Sequence, residues 1–181
     1  MTASRRSMLA TTGAGLALMA TESANGAPRA EDVGMARLVQ QSQVANAALM
    51  RGDVDTYRAL LQLTNDFVLM SPFGGTPSRG ASITPERWDA MRQFFRNGML
   101  RQELVHSWVS ADMVTLATIE HAHVEVGGLP AQDWTLRVTL VYCREGETWR
   151  LAHRHADPLG ISISVEQAAA LGRGQHGIAS E

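Results

Sequence analysis

The sequence predicts an α+β domain in which a cone-like, strongly curved mixed β-sheet wraps around three helices supplied by the N-terminal half. Three observations point there. The first half carries three segments with helical spacing, the second half switches to four long runs that alternate with period two, and a short strand-like run lies between the second and third helices. With 181 residues, 45% of them hydrophobic and 19% charged, the chain has enough apolar content for one sizeable core.

The elements follow in order. Residues 31–50 place Val33, Leu38, Ala45 and Leu49 at amphipathic helical spacing. Gly52 and Asp53 end that helix and open a second, residues 54–61, with Tyr57, Leu60 and Leu61 on its buried side. Asn65-Asp66 reads as a turn, residues 67–71 as a strand, and Pro72-Phe73-Gly74-Gly75-Thr76-Pro77 as a tight, glycine-dependent reversal. Thr84-Pro85-Glu86 combines a cap, a first-turn proline and an early carboxylate, and starts a third helix. Its inward stripe is Trp88, Met91 and Phe95, and Asn97-Gly98 is its expected end.

Strands are predicted over residues 102–110, 113–126, 132–144 and 148–156. Ala111-Asp112, Gly127-Gly128-Leu129-Pro130 and Glu145-Gly146-Glu147 join them as hairpins. Ser164 with Gln167 three residues on predicts a capped short helix to Leu171 inside a C-terminal tail, residues 161–181.

Composition removes several function classes. A formal net charge of -2 gives no basic field for nucleic acid or for an anionic membrane. All 16 basic residues are arginine, so no side-chain amine exists for a Schiff base or a phosphate-loop lysine. The single cysteine, Cys143, excludes an internal disulfide and a cysteine-rich zinc site. No cofactor is called for.

Residues 1–30 read as an export signal. Ser4-Arg5-Arg6-Ser7-Met8-Leu9 precedes a mildly apolar run and then small residues near Ala24-Asn25-Gly26-Ala27, the pattern of a twin-arginine signal. The apolar run is too short to span a bilayer. The expectation is a periplasmic or secreted protein whose domain occupies residues 31–160.

The most heavily loaded stretch is the closing strand. Strict alternation puts Trp149, Leu151, His153 and His155 on one face, running into Asp157 before Pro158. Three features in order resemble the nuclear transport factor 2-like superfamily, and within it the SnoaL-like proteins: Leu49-Met50-Arg51-Gly52-Asp53-Val54-Asp55, the reversal from Ser71-Pro72-Phe73-Gly74-Gly75 to Gly80, and Trp149-x-Leu151-x-His153-x-His155. The resemblance covers residues 33–159. It implies a cone whose open end admits a small, mostly apolar molecule, and a homodimer through the outer sheet face. In the ketosteroid isomerases of this superfamily an aspartate base precedes the hairpin proline and a tyrosine holds the oxyanion. Ser71 and Ala45 stand at those positions here, so steroid isomerisation is rejected.

Pairing about the Gly127–Pro130 apex sets Glu120 opposite Arg137, with Thr118 and Thr139 following. The next hairpin sets Arg137 opposite Asp157 and Thr139 opposite His155. The resulting catalytic expectation is His155 as general acid or base, oriented by Asp157 or Glu120, with Arg137 holding an oxyanion. Ser71, Phe73, Trp88, Trp108, Thr139 and His153 are expected to line the ligand site. A second reading makes Glu120 and Arg137 a structural cross-strand pair. A slip of one residue would instead turn His121 and His123 into the pocket. The pairs His121/His123 and His153/His155 suggest a metal, but they flank the intervening strand about 9 to 10 Å apart. No metal ligand is therefore assigned, although a histidine-ligated metal activity stays as an alternative.

Two function classes survive: a SnoaL-like enzyme doing acid-base work of the cyclase, dehydratase or hydratase type, and a noncatalytic ligand-binding or association module.

Overall fold

A computed structural model describes residues 30–173. The export signal expected over residues 1–30 falls almost wholly outside the described residues, as do residues 174–181 of the tail. Among the described residues no helix is long and apolar enough to cross a membrane.

Helices α1 (Ala30–Met50) and α2 (Val54–Leu60) pack together, and α3 (Pro85–Phe94) joins them in front of the sheet. Asp53 caps α2 by accepting from the Thr56 N–H at 3.0 Å, which satisfies one of the free donors of the first turn. The strands are β1 (Leu63–Met70), β2 (Ser78–Arg79), β3 (Phe95–Val109), β4 (Met113–Val126), β5 (Gln132–Glu145) and β6 (Thr148–Pro158). They form one six-stranded sheet in the order β2-β1-β6-β5-β4-β3. Only β1 and β6 run parallel, so the sheet is mixed, curved and unclosed. Helix α4 (Val165–Gly172) carries the expected Ser164/Gln167 capping box.

The inner sheet face and the helices close a core of Leu38, Ala45, Val54, Tyr57, Phe67, Trp88, Leu116, Leu140, Tyr142 and Leu151. Truncating a fully buried member such as Leu140 to alanine is expected to cost about 2–5 kcal/mol.

Three local expectations need correcting. The strand expected over residues 67–71 begins at Leu63, and Asn65-Asp66 lies within it. The pairing of β1 with β6 shifts between Leu63 and Val68, so these turn-forming residues occupy an irregularity of the strand. Helix α3 ends at Phe94, because Phe95 already pairs with Val126 as the first residue of β3. Asn97-Gly98 is therefore a bulge in β3, with Asn97 at φ 52°, and the pairing shifts between Arg96 and Met99. Gly98 is required there by contact: a Cβ would sit 2.6 Å from the Met50 carbonyl oxygen and 2.7 Å from Val124.

The third correction concerns which face each side chain takes. At the β4–β5 hairpin Gly127 and Gly128 both have positive φ and the Leu129 N–H donates to the Val126 carbonyl, a two-residue reversal of the I′ kind. Pro130 and Ala131 then take up further chain before pairing resumes at Val124 and Gln132. Glu120 consequently faces Leu136, and Arg137 faces Ile119, one residue from the expected register. On β6 the pairing with β5 shifts between Val141 and Tyr142: Leu151 opposes Tyr142, but His153 opposes Val141. The extra residue, Ala152, reverses the parity of the rest of the strand. Leu151, Arg154 and Ala156 turn inward, while His153, His155 and Asp157 turn outward.

Candidate functional site

The curvature of the sheet leaves an inner hollow of ≈ 310 Å³ between α1, α2, α3 and the inner faces of β4, β5 and β6. Its wall is mostly apolar, built by Leu49, Met50, Leu69, Met91, Leu100, Ala122 and Leu136. Its mouth is aromatic. Phe73 lies edge-on to Phe94 at 5.4 Å and against Trp134 at 5.6 Å, and Phe94 meets Phe95 at 5.0 Å. Phe73 reaches this position because the Pro72–Pro77 reversal is held by the Gly74 N–H to the Ser71 carbonyl at 3.0 Å.

The floor is polar. Arg154 donates from Nη1 to Glu120 Oε1 at 2.8 Å and from Nη2 to Oε2 at 2.7 Å, a two-pronged pair reaching across β5. Glu120 is 2% exposed, so its charge depends on this partner. Burial acts against the charge on Arg154, but Glu120 outweighs it through charge and hydrogen bonding and holds the guanidinium above the usual arginine range. Tyr57, from α2, also lines the hollow. Burial raises its phenol above the ordinary value, with a smaller opposing pull from Arg154, so it stays protonated and can donate. Behind the floor, Ser42 donates to Gln102 Oε1 at 3.1 Å and Asn46 Nδ2 donates to the Ser42 carbonyl at 3.0 Å.

The structure divides the expected catalytic group between the two sides of the sheet. Glu120 lines the hollow. Arg137, His155 and Asp157 lie on the outer face, where Arg137 Nε donates to Asp157 at 2.8 Å in an exposed pair. The expected partnership of Glu120 with Arg137 is thus replaced by Glu120 with Arg154, as a consequence of the Ala152 bulge and the one-residue hairpin register.

Among the expected ligand-site residues, Ser71 and Phe73 line the mouth. Trp88 is instead buried in the core, 6.1 Å from Tyr57, because α3 turns it toward α2. Trp108 is 56% exposed, on the outer side of β3 beside His106. Thr139 and His153 are outward, and His153 Nδ1 donates to the Val68 carbonyl at 2.9 Å. The other histidine pair is also outward, with His121 at 3.2 Å from Glu103 and His123 at 2.9 Å from Asp133. Among the described residues no three His, Cys, Asp or Glu side chains converge to hold a metal ion.

Reading the sequence missed Arg154 and Tyr57 on the inside of the hollow and Arg87 on its rim. A usable signal existed for the first: a glutamate on a sheet's core face calls for a cationic partner, and in a chain without lysine the permanently charged candidates are all arginines.

With this geometry in place, comparison with known proteins gives a consistent picture. The profile of the SnoaL-like domain matches residues 42–159. No curated protein matches the sequence. Among solved structures, a nuclear transport factor 2-like superfamily protein from Salmonella enterica superposes with a TM-score of 0.55 at 17% identity, over 72% of this chain and 98% of that one. A proposed dehydratase of the same family from Streptomyces avermitilis gives 0.53 at 22% identity, covering 72% and 95%. A proposed calcium/calmodulin-dependent protein kinase type II association domain from Thiobacillus denitrificans gives 0.53 at 24% identity, covering 68% and 93%. At these identities the likeness is one of fold.

Proposed function

Starting from a chain that belongs to the SnoaL-like domain family, within the nuclear transport factor 2-like superfamily, we propose that its inner hollow binds a small, mostly apolar molecule. One observation carries this reading: an apolar cavity of ≈ 310 Å³ ends on a buried, mutually neutralising Glu120–Arg154 pair beside the Tyr57 hydroxyl. Apolar walls supply affinity by desolvation, and a few polar groups at one end fix orientation. A carbonyl or hydroxyl on the ligand's inner end would meet the Tyr57 donor.

Acid-base chemistry at the floor is the finer part of the proposal. Glu120 is the carboxylate on the cavity wall. Both Glu120 oxygens are already engaged by Arg154, however, so ligand binding is the function the geometry supports best. Chemical-shift mapping with 2-naphthol tests the site. The Trp134 indole N–H and the Ala122 and Leu136 methyls should move, while Thr139 and His155 stay still; shifts confined to the outer face would overturn it.

A second reading, homodimerisation, is favoured by the outer sheet face. Ala117, Ile119 and Val141 lie there in the middle strands, where a solvated antiparallel face would carry polar side chains. The association domains among the structural neighbours are consistent with such a use of the fold. Ile119→Arg should convert a dimer to monomer in light scattering; an unchanged mass would count against this face. Export through residues 1–30 completes the proposal, and cell fractionation of an Arg5→Lys/Arg6→Lys variant should show retention inside the cell.

A further inference from the structure

The floor of the hollow and its mouth differ in charge. Inside, Glu120 and Arg154 cancel one another, so an ionised group on a ligand gains nothing there and loses its hydration. At the mouth stands Arg87, in the first turn of α3, exposed and with its Nη2 3.5 Å from the Ser78 hydroxyl. Among the described residues no carboxylate lies within 4.0 Å of the Arg87 guanidinium. Of the acids nearest it in sequence, Asp89 lies 3.5 Å from Arg92, and Glu86 is held below the usual glutamate value by Thr84 and its own backbone at the start of α3. The Ser71 and Ser78 hydroxyls border the same opening.

From this arrangement we propose that the ligand is an amphipathic carboxylic acid whose apolar body fills the hollow and whose carboxylate stays at the mouth on Arg87, with Ser71 and Ser78 beside it. The inference rests on the ligand-binding reading and names the ligand's class. A lone guanidinium with one hydroxyl, that of Ser78, 3.5 Å away matches a single negative charge better than the double charge of a phosphate monoester. Holding the charge at the rim leaves it partly hydrated, which avoids the cost of burying an ion. The hollow is roughly twice the ~150 Å³ cavity that holds one benzene ring, so a two-ring body or a ring with a short chain fits.

The test compares two probes of one shape, 2-naphthoate and neutral 2-naphthamide, by calorimetric titration of the full chain at pH 7.5. At low salt naphthoate should bind about five- to tenfold more tightly, the gain expected of a rim ion pair with hydrogen-bonding neighbours. The preference should vanish in Arg87→Gln, invert in Arg87→Glu, and shrink in 0.5 M salt. Arg87 is exposed, so these variants keep the fold. Equal binding of the two probes, or a preference that survives Arg87→Gln, would overturn the carboxylate assignment and leave the cavity reading standing. Binding of neither probe would overturn both.

Discussion

Arg154 and Glu120 face each other across β5 with paired hydrogen bonds of 2.8 and 2.7 Å, and they supply the charge pair on which the inner hollow ends. Removing one partner leaves the other buried and uncompensated. Arg154→Met should therefore destabilise the protein by about 3–5 kcal/mol, read as a shift of the urea midpoint. The double variant Glu120→Leu/Arg154→Met should recover most of that loss, because two apolar side chains of similar volume need no partner. Additive losses in the double variant would mean the two residues do not form the pair described.

The outward residues make the opposite prediction. Breaking the exposed Arg137–Asp157 pair with Asp157→Asn should cost less than about 1 kcal/mol. His155→Ala and Asp157→Asn should leave the affinity for 2-naphthol within about twofold of wild type, since both side chains lie on the outer face and neither lines the hollow. A large loss in either would return these residues to the site.

The contrast between those two sets shows what can be read from the chain itself. The existence of the helices and of the four long strands was legible because hydrophobic spacing is a local property, and the caps Asp53 and Ser164 because capping acts within one turn; the end of α3 and the starts of β1 and β3 were not. The faces of the strands were legible only up to the first irregularity. Ala152 bears no mark of a bulge, yet it inverts the side taken by every residue from His153 to Asp157. The same holds for the extra chain at Pro130 and Ala131, which moved Glu120 from Arg137 to Leu136. Irregularities of this kind are set by packing between distant segments, such as β1 on β6, and sequence spacing does not encode them. The mouth was partly legible, in Ser71 and Phe73, because a proline- and glycine-rich reversal constrains its own shape. Arg87 was not, since an arginine on an exposed helix turn looks like any solvated charge.

Two glycines separate space from conformation. Gly98→Ala should destabilise by about 1–3 kcal/mol, because its methyl meets the Met50 carbonyl and Val124 and neither can retreat easily. Gly34→Ala, in helix α1 with nothing within 4 Å of the added methyl, should stabilise by about 0.5–1 kcal/mol. Urea denaturation of both variants checks the pair of signs.

Asp53 gives a pH dependence. Its hydrogen bonds from Thr56 hold the carboxyl below the ordinary aspartate value in the folded protein. A group with a depressed folded pKa stabilises above its unfolded pKa, and that contribution disappears as pH falls through the folded value. Asp53→Ala should thus lower the urea midpoint at pH 7, and the difference from wild type should close on the acid side of the normal carboxylate range. A difference that stays constant down to pH 2 would show that the cap does not depend on the ionised carboxylate.

The occupancy of the inner hollow is tested most directly by calorimetric titration of 2-naphthol into the wild-type protein and into Ala90→Trp. Ala90 is exposed on α3 and borders the opening, so an indole there obstructs the mouth without disturbing the core. The expected result is saturable one-to-one binding with a negative heat-capacity change in the wild type, and loss of at least about tenfold in affinity, 1.4 kcal/mol, in the variant. Equal binding by both proteins, or no saturable binding by the wild type, would contradict the account.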